Sequence, residues 1–250
     1  MKAVCPNVKL VCHTSTPETV LCAAAKLCYA NDTERLLEQD LETAGEFIRI
    51  LRQAGHFSPL EHASFTFYLE GVSRAMTHQL VRHRLASYSQ RSQRYVSHGE
   101  FDYIVPPQLH GRTIKDQGQT VDAVQYFVDT MKLIAERYRH LNDALGQAGE
   151  QSNQDARYVL PNACESKIFV TMNARELLHF FEERLCLRAQ WEIRNVADAM
   201  LDLVKAEAPA VFDDAGPKCI RLGKCPEGKK TCGRYAEIKR RYASQCGESE

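Results

Sequence analysis

The spacing of apolar residues constrains the fold of this chain most, because it changes between a helical and a strand-like period along the sequence. Three long stretches place apolar side chains three and four residues apart, as amphipathic helices do: residues 33–54, 116–146 and 191–208. Three shorter runs are rich in aromatic and other strand-favouring residues: 63–69, 101–105 and 167–172. We therefore expect an α+β fold in which a mixed or antiparallel sheet packs with several long helices.

Residues typical of helix ends divide the chain further. Pro17 favours the start of a short helix, and Gly55 favours the end of the long helix before it. Ser73 predicts the N-cap of a helix that runs through roughly residue 85, and Asn173 predicts a cap for the helix after the last strand. One or two helical turns are expected at 152–158.

Charge and composition limit the classes of function. Among 250 residues, 32 are Lys or Arg and 32 are Asp or Glu, so the formal net charge is zero. A neutral chain does not attract nucleic acid by bulk electrostatics. No apolar run approaches a membrane span and none resembles a secretory signal, so we expect a cytoplasmic protein without nucleic-acid or membrane partners. Composition changes at Gly216 and Pro217, which divides the chain into a domain at 1–214 and a Cys-rich tail at 215–250.

The cysteines of the tail form a candidate metal site. Cys219, Cys225 and Cys232 lie among glycines and prolines, which permit tight turns, and Cys186 or Cys246 could supply the fourth ligand of a tetrahedral site. Four thiolates suit zinc. The spacing of these cysteines matches no common iron–sulfur pattern, so zinc is the preferred metal. Free thiols and, in a cytosol, the rarer disulfides are the alternatives.

The densest chemical signal is the segment 82–95, RHRLASYSQRSQRY, which holds four arginines, three serines and no acidic residue. Guanidinium groups match phosphate oxygens in bidentate geometry, and hydroxyl and backbone N–H groups complete such sites. Gln79 lies three residues before Arg82, so both side chains can share one helix face. The segment predicts a phosphate site, and a solvated basic turn is the alternative.

This segment resembles the arginine-rich signature of the flavin-dependent thymidylate synthases. Other segments resemble that family in the same order along the chain: 55–62, 156–161, 173–177 and 189–192. Two positions depart from the family, which usually has Asn where this chain has Ser89 and His179. Together the matching segments cover roughly residues 15–212.

The resemblance implies an enzyme that methylates deoxyuridylate (dUMP) to thymidylate. Methylenetetrahydrofolate would donate the carbon, FAD and NADPH would supply the reduction, and the protein would be a homotetramer. The residues implied to bind FAD are Ser58, Arg82, His83, Arg84, Gln90, Asn173, Ala174, Arg175 and His179. Those implied to bind dUMP are Gln79, Leu80, Val81, Arg82, Gln90, Arg91, Ser92, Gln93, Arg94, Arg157 and Arg184.

Arg184 is the candidate catalytic residue by the same resemblance. C5 of uracil becomes more nucleophilic when negative charge builds up in the ring, and a positioned cation can stabilise that charge. An arginine whose stem covers apolar surface while its head reaches water is the structural alternative. Ser92 lies among arginines, but the sequence offers no base beside it, so we interpret it as a substrate contact rather than a nucleophile.

Three other classes of function compete with this interpretation. A nucleic-acid-binding module would use the arginine segment as a phosphate clamp, which the zero net charge disfavours. A folate- and FAD-dependent methyltransferase could act on uracil in RNA, although a Rossmann-based version would need the G-x-G-x-x-G loop that this chain lacks. A structural metal protein would leave the large domain unexplained.

Overall fold

A computed structural model describes residues 1–31, 33–38 and 40–242. The strands are β1 (Asn7–His13), β2 (Ser64–Ser73), β3 (Ala86–Gln90), β4 (Thr113–Asp116), β5 (Gln119–Asp122) and β6 (Glu165–Asn173). The first helices are α1 (Pro17–Lys26), α2 (Leu41–Gln53), α3 (Arg74–Leu80), α4 (Ala123–Ala144) and α5 (Glu150–Ala156). The later ones are α6 (Ala174–Arg184), α7 (Trp191–Glu207), α8 (Pro209–Phe212), α9 (Lys218–Arg221) and α10 (Tyr235–Tyr242).

The strands belong to two sheets. One sheet has four strands in the order β1-β2-β6-β3, and the other is the antiparallel hairpin β4–β5, in which Ile114 lies opposite Val121. The predicted combination of sheets with several helices is therefore confirmed. In the part of the chain that is described, no helix is both long enough and apolar enough to cross a membrane.

The chain forms two compact units that alternate along the sequence. Among the described residues, the first unit comprises 1–7, 69–80 and 89–168, and the second comprises those of 8–68, 81–88 and the chain beyond 168. In the first unit, α4 buries Met131 and Ala135 in a cluster with Phe101, Tyr103 and Cys164. This cluster is the apolar core against which the long helix packs.

In the second unit, aromatic rings hold α6. Phe65 of β2 and Phe181 of α6 both meet the ring of Phe212 edge to face, with centroid distances of 5.5 and 6.0 Å. All three side chains are fully buried. The predicted cap is confirmed, since Oδ1 of Asn173 accepts the Glu176 N–H at 2.8 Å. The cap fixes where α6 begins, and the rings fix the face that it buries.

The described part of the tail packs within the second unit. Ile238 and Tyr242 of α10 are buried, and the Tyr242 hydroxyl donates to Oδ1 of Asp198 at 2.5 Å. Arg241 binds the other carboxylate oxygen of Asp198 at 2.8 Å. The tail has few apolar residues, so its composition gave little reason to expect a folded segment. These buried side chains and the shared carboxylate of Asp198 hold α10 in place. The boundary at residue 214 stays a prediction.

Two predicted helices begin later than expected. The helix predicted at 33–54 begins at Leu41, because Asp40 takes the N-cap position and accepts the Thr43 N–H at 2.8 Å. Residues 34–37 form a turn, and Gln39 lies outside the described residues. The helix predicted from 116 begins at Ala123, because the hairpin β4–β5 precedes it. Its turn residues Gln117 and Gly118 both have positive φ, as a tight hairpin turn requires.

Other local predictions were also wrong. The strand predicted at 101–105 is reduced to isolated bridges of Tyr103 with Ala3 and Cys164. The helix that follows Ser73 ends at Leu80 rather than near 85. Strands β1 and β3 were not predicted: the seven residues of β1 give only a short mixture of four apolar and three polar residues, and β3 lies in the serine-rich basic segment.

A substitution at Gly71 tests how closely the backbone of β2 approaches the backbone of Cys5 within the first unit. Its φ is +66°, and an added Cβ would lie 2.0 Å from the carbonyl oxygen of Cys5. We expect Gly71→Ala to lower the free energy of unfolding by more than about 3 kcal/mol, because the strained φ costs about 1–3 kcal/mol and the backbone must also move.

Gly55 is the matched control, with φ of +78° and no described atom within 4 Å of an added Cβ. We expect Gly55→Ala to cost only about 1 kcal/mol, which is the strain alone. Equal losses for the two variants in chemical denaturation would contradict the close approach at Gly71.

Candidate active site

A cavity of about 530 Å³ in the second unit gathers several predicted site residues. The segment after α3 contributes Arg82, His83 and Leu85 to its lining. Helix α6 contributes Arg175, Glu176, His179, Glu183 and Arg184. These residues recur at three- and four-residue spacing, so they share one side of α6.

His83 lies at the centre of this arrangement and is buried. Nε of Arg184 donates to its Nε2 at 3.0 Å, and Oε1 of Glu176 lies 3.4 Å from its Nδ1. The Phe180 ring packs edge to face against the imidazole at a centroid distance of 5.0 Å. The Tyr88 hydroxyl donates to the His83 carbonyl oxygen at 2.7 Å, so the backbone of His83 is held as well.

The cavity combines three guanidinium groups with two carboxylates. Arg82 is exposed, whereas Nη1 of Arg175 binds Oε1 of Glu61 at 2.5 Å. Burial raises the pKa of Tyr88, and the charge of Glu176 raises it further, so this hydroxyl stays protonated and remains a donor. Arginine-rich lining of a concave surface suits an anionic ligand.

The predicted dUMP residues of the first unit are held by other protein groups. Nη1 of Arg91 lies 3.8 Å from Oε2 of Glu165, and Nη2 of Arg94 lies 2.6 Å from Oε1 of Glu150. Gln90 donates from Nε2 to Thr77 and to Ser166, at 2.8 and 2.9 Å. The amide oxygen of Gln90 is thus the atom best placed to receive a ligand hydrogen bond.

Arg74 is a candidate site residue that the sequence did not single out. Burial lowers its pKa, and the positive charge of Arg157 lowers it further, so the two guanidinium groups repel each other. A nearby anion would relieve that repulsion. Arg74 occupies the first position of α3 after its Ser73 cap, where it resembled an ordinary helix residue.

Glu176 was also missed, for a similar reason. It lies three residues after the cap Asn173, where a glutamate is typical of a capping box. In the structure its carboxylate is buried and faces His83 instead. The sequence signal for this contact is its four-residue spacing from Phe180, which also touches His83.

The structure does not gather every predicted flavin residue at this cavity. Four of them belong to the second unit but do not line the cavity: Ser58, Arg84, Asn173 and Ala174. Gln90 belongs to the first unit. Asn173 is occupied as the cap of α6, and the side chain of Ala174 is buried in the core. Roles for these residues toward FAD stay predictions.

Several predicted dUMP contacts have constrained side chains. Leu80 is 0% exposed and packs in the core, so only its backbone could reach a ligand. Val81 is exposed, and Gln79 donates weakly to the Ala75 carbonyl at 3.5 Å. The Arg157 side chain donates from Nε to the Gln154 carbonyl at 3.3 Å, which leaves its terminal nitrogens as donors.

Two potential nucleophiles of the first unit are not activated. Oγ of Ser92 accepts the backbone N–H groups of Arg94 and Tyr95, at 3.1 and 3.3 Å, and so stabilises a turn. Burial raises the pKa of Cys164 to about 12, although a hydrogen bond with Gln93 partly opposes this effect. Cys164 is therefore a protonated thiol at neutral pH, and covalent catalysis would need the thiolate.

The four predicted metal ligands come close together, but without a metal-binding arrangement. Cys186, Cys219, Cys225 and Cys232 line one pocket in the second unit, and Cys246 lies outside the described residues. Among residues 1–31, 33–38 and 40–242, no three or more His, Cys, Asp or Glu side chains are placed so that they could hold a metal ion. The structure therefore does not support the predicted site. Cysteines can line one pocket while their sulfur atoms stay too far apart to share an ion, since thiolate–zinc bonds are only about 2.3 Å long.

The sequence matches one family over most of its length. The model of that family described as "Thymidylate synthase complementing protein" matches residues 9–210. The chain is 50% identical over 241 residues to the flavin-dependent thymidylate synthase of Nitratidesulfovibrio vulgaris, which covers 92% of this chain and 95% of that protein. It is 46% identical over 249 residues to the Clostridium tetani protein of the same name, which covers 94% of this chain and 96% of the relative.

A solved structure matches as well. The UMP/dUMP methylase PolB of Streptomyces cacaoi, bound with 5-Br dUMP, superimposes with a TM-score of 0.68 at 26% identity, covering 85% of this chain and 95% of PolB. The chain belongs to the flavin-dependent thymidylate synthase family, as its arginine-rich segment and the order of its other matching segments predicted.

The raised pKa of Cys164 gives a chemical test. A thiol with a pKa of about 12 is almost fully protonated at pH 8, with roughly 10⁻⁴ of it as thiolate. We expect Cys164 to resist iodoacetamide in the native protein at pH 8, while the exposed Cys5 of the same unit reacts. Mass spectrometry of the labelled peptides gives both rates, and equal rates would contradict the burial of Cys164.

Proposed function

We propose that this chain is a flavin-dependent thymidylate synthase that converts dUMP into thymidylate, with 5,10-methylenetetrahydrofolate as carbon donor and FAD and NADPH for the reduction. The observation that carries the proposal is the cavity in which Arg82 and His83 of the signature segment meet Arg175, His179 and Arg184 of α6. Four of these five side chains are those that the resemblance implies for FAD, and the fifth is the candidate catalytic residue.

The donor set of this cavity fits a flavin nucleotide. FAD carries a pyrophosphate, and a chain without a glycine-rich phosphate loop must bind it with side chains and helix ends. Arg82 and Arg175 are the cations best suited to it, and His179 adds a hydrogen-bonding ring at the cavity wall. When bound, the flavin supplies the hydride that completes the methyl group.

Arg74, Arg157 and Arg94 suit the phosphate of dUMP. A phosphate monoester carries close to two negative charges at neutral pH, and it would offset the mutual repulsion of Arg74 and Arg157. Arg94 already binds Glu150, so a phosphate would compete with that exposed carboxylate. Gln90 can accept an N–H of the pyrimidine through its amide oxygen.

Arg184 is proposed to act on the pyrimidine ring. Its guanidinium lines the cavity while its Nε is held by His83, so the terminal nitrogens are the donors left to stabilise negative charge on uracil. The methylene carbon must gain two electrons to become a methyl group. Because NADPH provides them, the folate leaves as tetrahydrofolate without being oxidised.

A homotetramer in the cytoplasm is part of this proposal. Large apolar side chains are exposed beside predicted site residues, among them Leu85 at 70%, Tyr95 at 68% and Tyr158 at 85%. Contact with further copies of the chain would cover such side chains.

The activity can be tested with purified protein. Incubation with dUMP, methylenetetrahydrofolate, FAD and NADPH should form thymidylate and tetrahydrofolate, with one NADPH oxidised per thymidylate. Removing the flavin should abolish the product, and adding FAD should restore it. Normal turnover without flavin would sink the proposal. UMP and a uracil-containing RNA are the control substrates, and methylation of RNA with no reaction on dUMP would favour the RNA enzyme.

The role of Arg184 can be separated from flavin binding. We expect Arg184→Ala to lower kcat by roughly 30- to 1000-fold, since losing a charge-assisted contact in the transition state costs about 2–4 kcal/mol. Flavin content should fall much less. The matched control is Arg188→Ala, because Arg188 lies outside the cavity and binds Glu227. Unchanged turnover in Arg184→Ala would show that this arginine only covers apolar surface.

A further inference from the structure

His83 is enclosed by one stripe of α6. Glu176, Phe180 and Arg184 are spaced four residues apart, which places them one above another on the helix. The carboxylate faces Nδ1, the phenyl ring packs against the imidazole, and the guanidinium binds Nε2. A single side of α6 thus determines what each edge of the imidazole meets.

The contact with Arg184 determines which ring nitrogen of His83 can carry a proton. A guanidinium has N–H donors and no acceptor, so the 3.0 Å contact from Nε of Arg184 requires a lone pair on Nε2 of His83. This contact therefore requires the tautomer of His83 that carries its proton on Nδ1. A proton on Nε2 would place donor against donor beside a permanent cation.

Glu176 favours the same tautomer from the other edge. Its Oε1 lies 3.4 Å from Nδ1, and both side chains are buried. A carboxylate accepts but does not donate, so it attracts the Nδ1–H form and repels the form with a lone pair on Nδ1. Low solvent exposure strengthens this preference.

We propose that Glu176 is a positioning residue: it holds His83 in the Nδ1–H tautomer, and the Nε2 lone pair of that tautomer holds the Arg184 guanidinium toward the cavity. The proposal rests on the proposed function, because it assigns to Arg184 the work of stabilising charge on the substrate. It assigns no proton transfer to His83 or to Glu176.

The first test is Glu176→Gln. The amide of glutamine can donate as well as accept, so the variant tolerates both tautomers of His83, and the competing one expels Arg184 from its position. We expect kcat to fall at least about tenfold, less than the roughly 10⁴-fold loss known where a misplaced histidine itself transfers the proton. The KM for dUMP and the flavin content should stay within about threefold of the unaltered protein.

A double-mutant cycle separates positioning from simple structural support. In His83→Gln, the side-chain oxygen can replace Nε2 as an acceptor, and an amide has no tautomer for Glu176 to select. Adding Glu176→Gln to His83→Gln should therefore cost less than twofold. A loss as large as in the unaltered background would make the two effects additive and would overturn the proposal.

The control is Glu18→Gln, a buried carboxylate of the same unit that accepts the Ala210 N–H at 2.6 Å and lies outside the cavity. Glutamine keeps that acceptor. Turnover of Glu18→Gln should match the unaltered protein, and a tenfold loss there would show that any buried charge change lowers kcat.

Solid-state ¹⁵N NMR of histidine-labelled protein measures the tautomer of His83 in the unaltered protein. A variant is needed only to assign the His83 signals. The His83 signals, assigned by their loss in His83→Gln, should show a protonated Nδ1 and an unprotonated Nε2. A proton on Nε2 overturns the proposal, even if Glu176→Gln does not fold. If the unaltered protein forms no thymidylate, the proposed function fails while the NMR result still decides the tautomer.

Discussion

The edge-to-face packing of Phe181 and Phe65 on Phe212 determines where α6 lies, and α6 carries most of the cavity. The rings are fully buried, so they cannot be moved without losing contact with the rest of the second unit. The same helix carries Arg175, His179 and Arg184 into the cavity lining. A cavity built of charged side chains depends in this way on a contact that contains no charge at all.

The sequence predicted the chemistry better than it predicted the boundaries of helices and strands. Arginine, histidine and serine in one short segment indicated an anion site. Their side chains donate hydrogen bonds to an anion whether the segment forms a helix, a strand or a loop. The helix predicted at 33–54 failed in its first turns because Asp40 caps a shorter helix. Residues 116–122 of the hairpin were mistaken for helix because Val121 continues the helical spacing of the apolar residues in α4.

The missed residues share one property: their importance lies in a tertiary neighbour. Arg74 matters because Arg157 is near it, although the two are far apart in sequence. Glu176 matters because a buried histidine from a segment about ninety residues earlier faces it. Neither position departs from an ordinary helix start, so no local pattern could separate it from capping or solvent exposure.

The tail has an electrostatic consequence for the cavity, although no described residue beyond 184 lines it. Arg221 binds Glu182, and Nζ of Lys218 lies 3.8 Å from Glu183. Glu182 and Glu183 immediately precede Arg184, so without these partners two negative charges would stand beside it. The tail therefore offsets negative charge beside the cavity. Because the pairs are partly exposed, added salt screens them over about 8 Å at physiological ionic strength, and the attraction for an anionic ligand becomes sensitive to ions in solution.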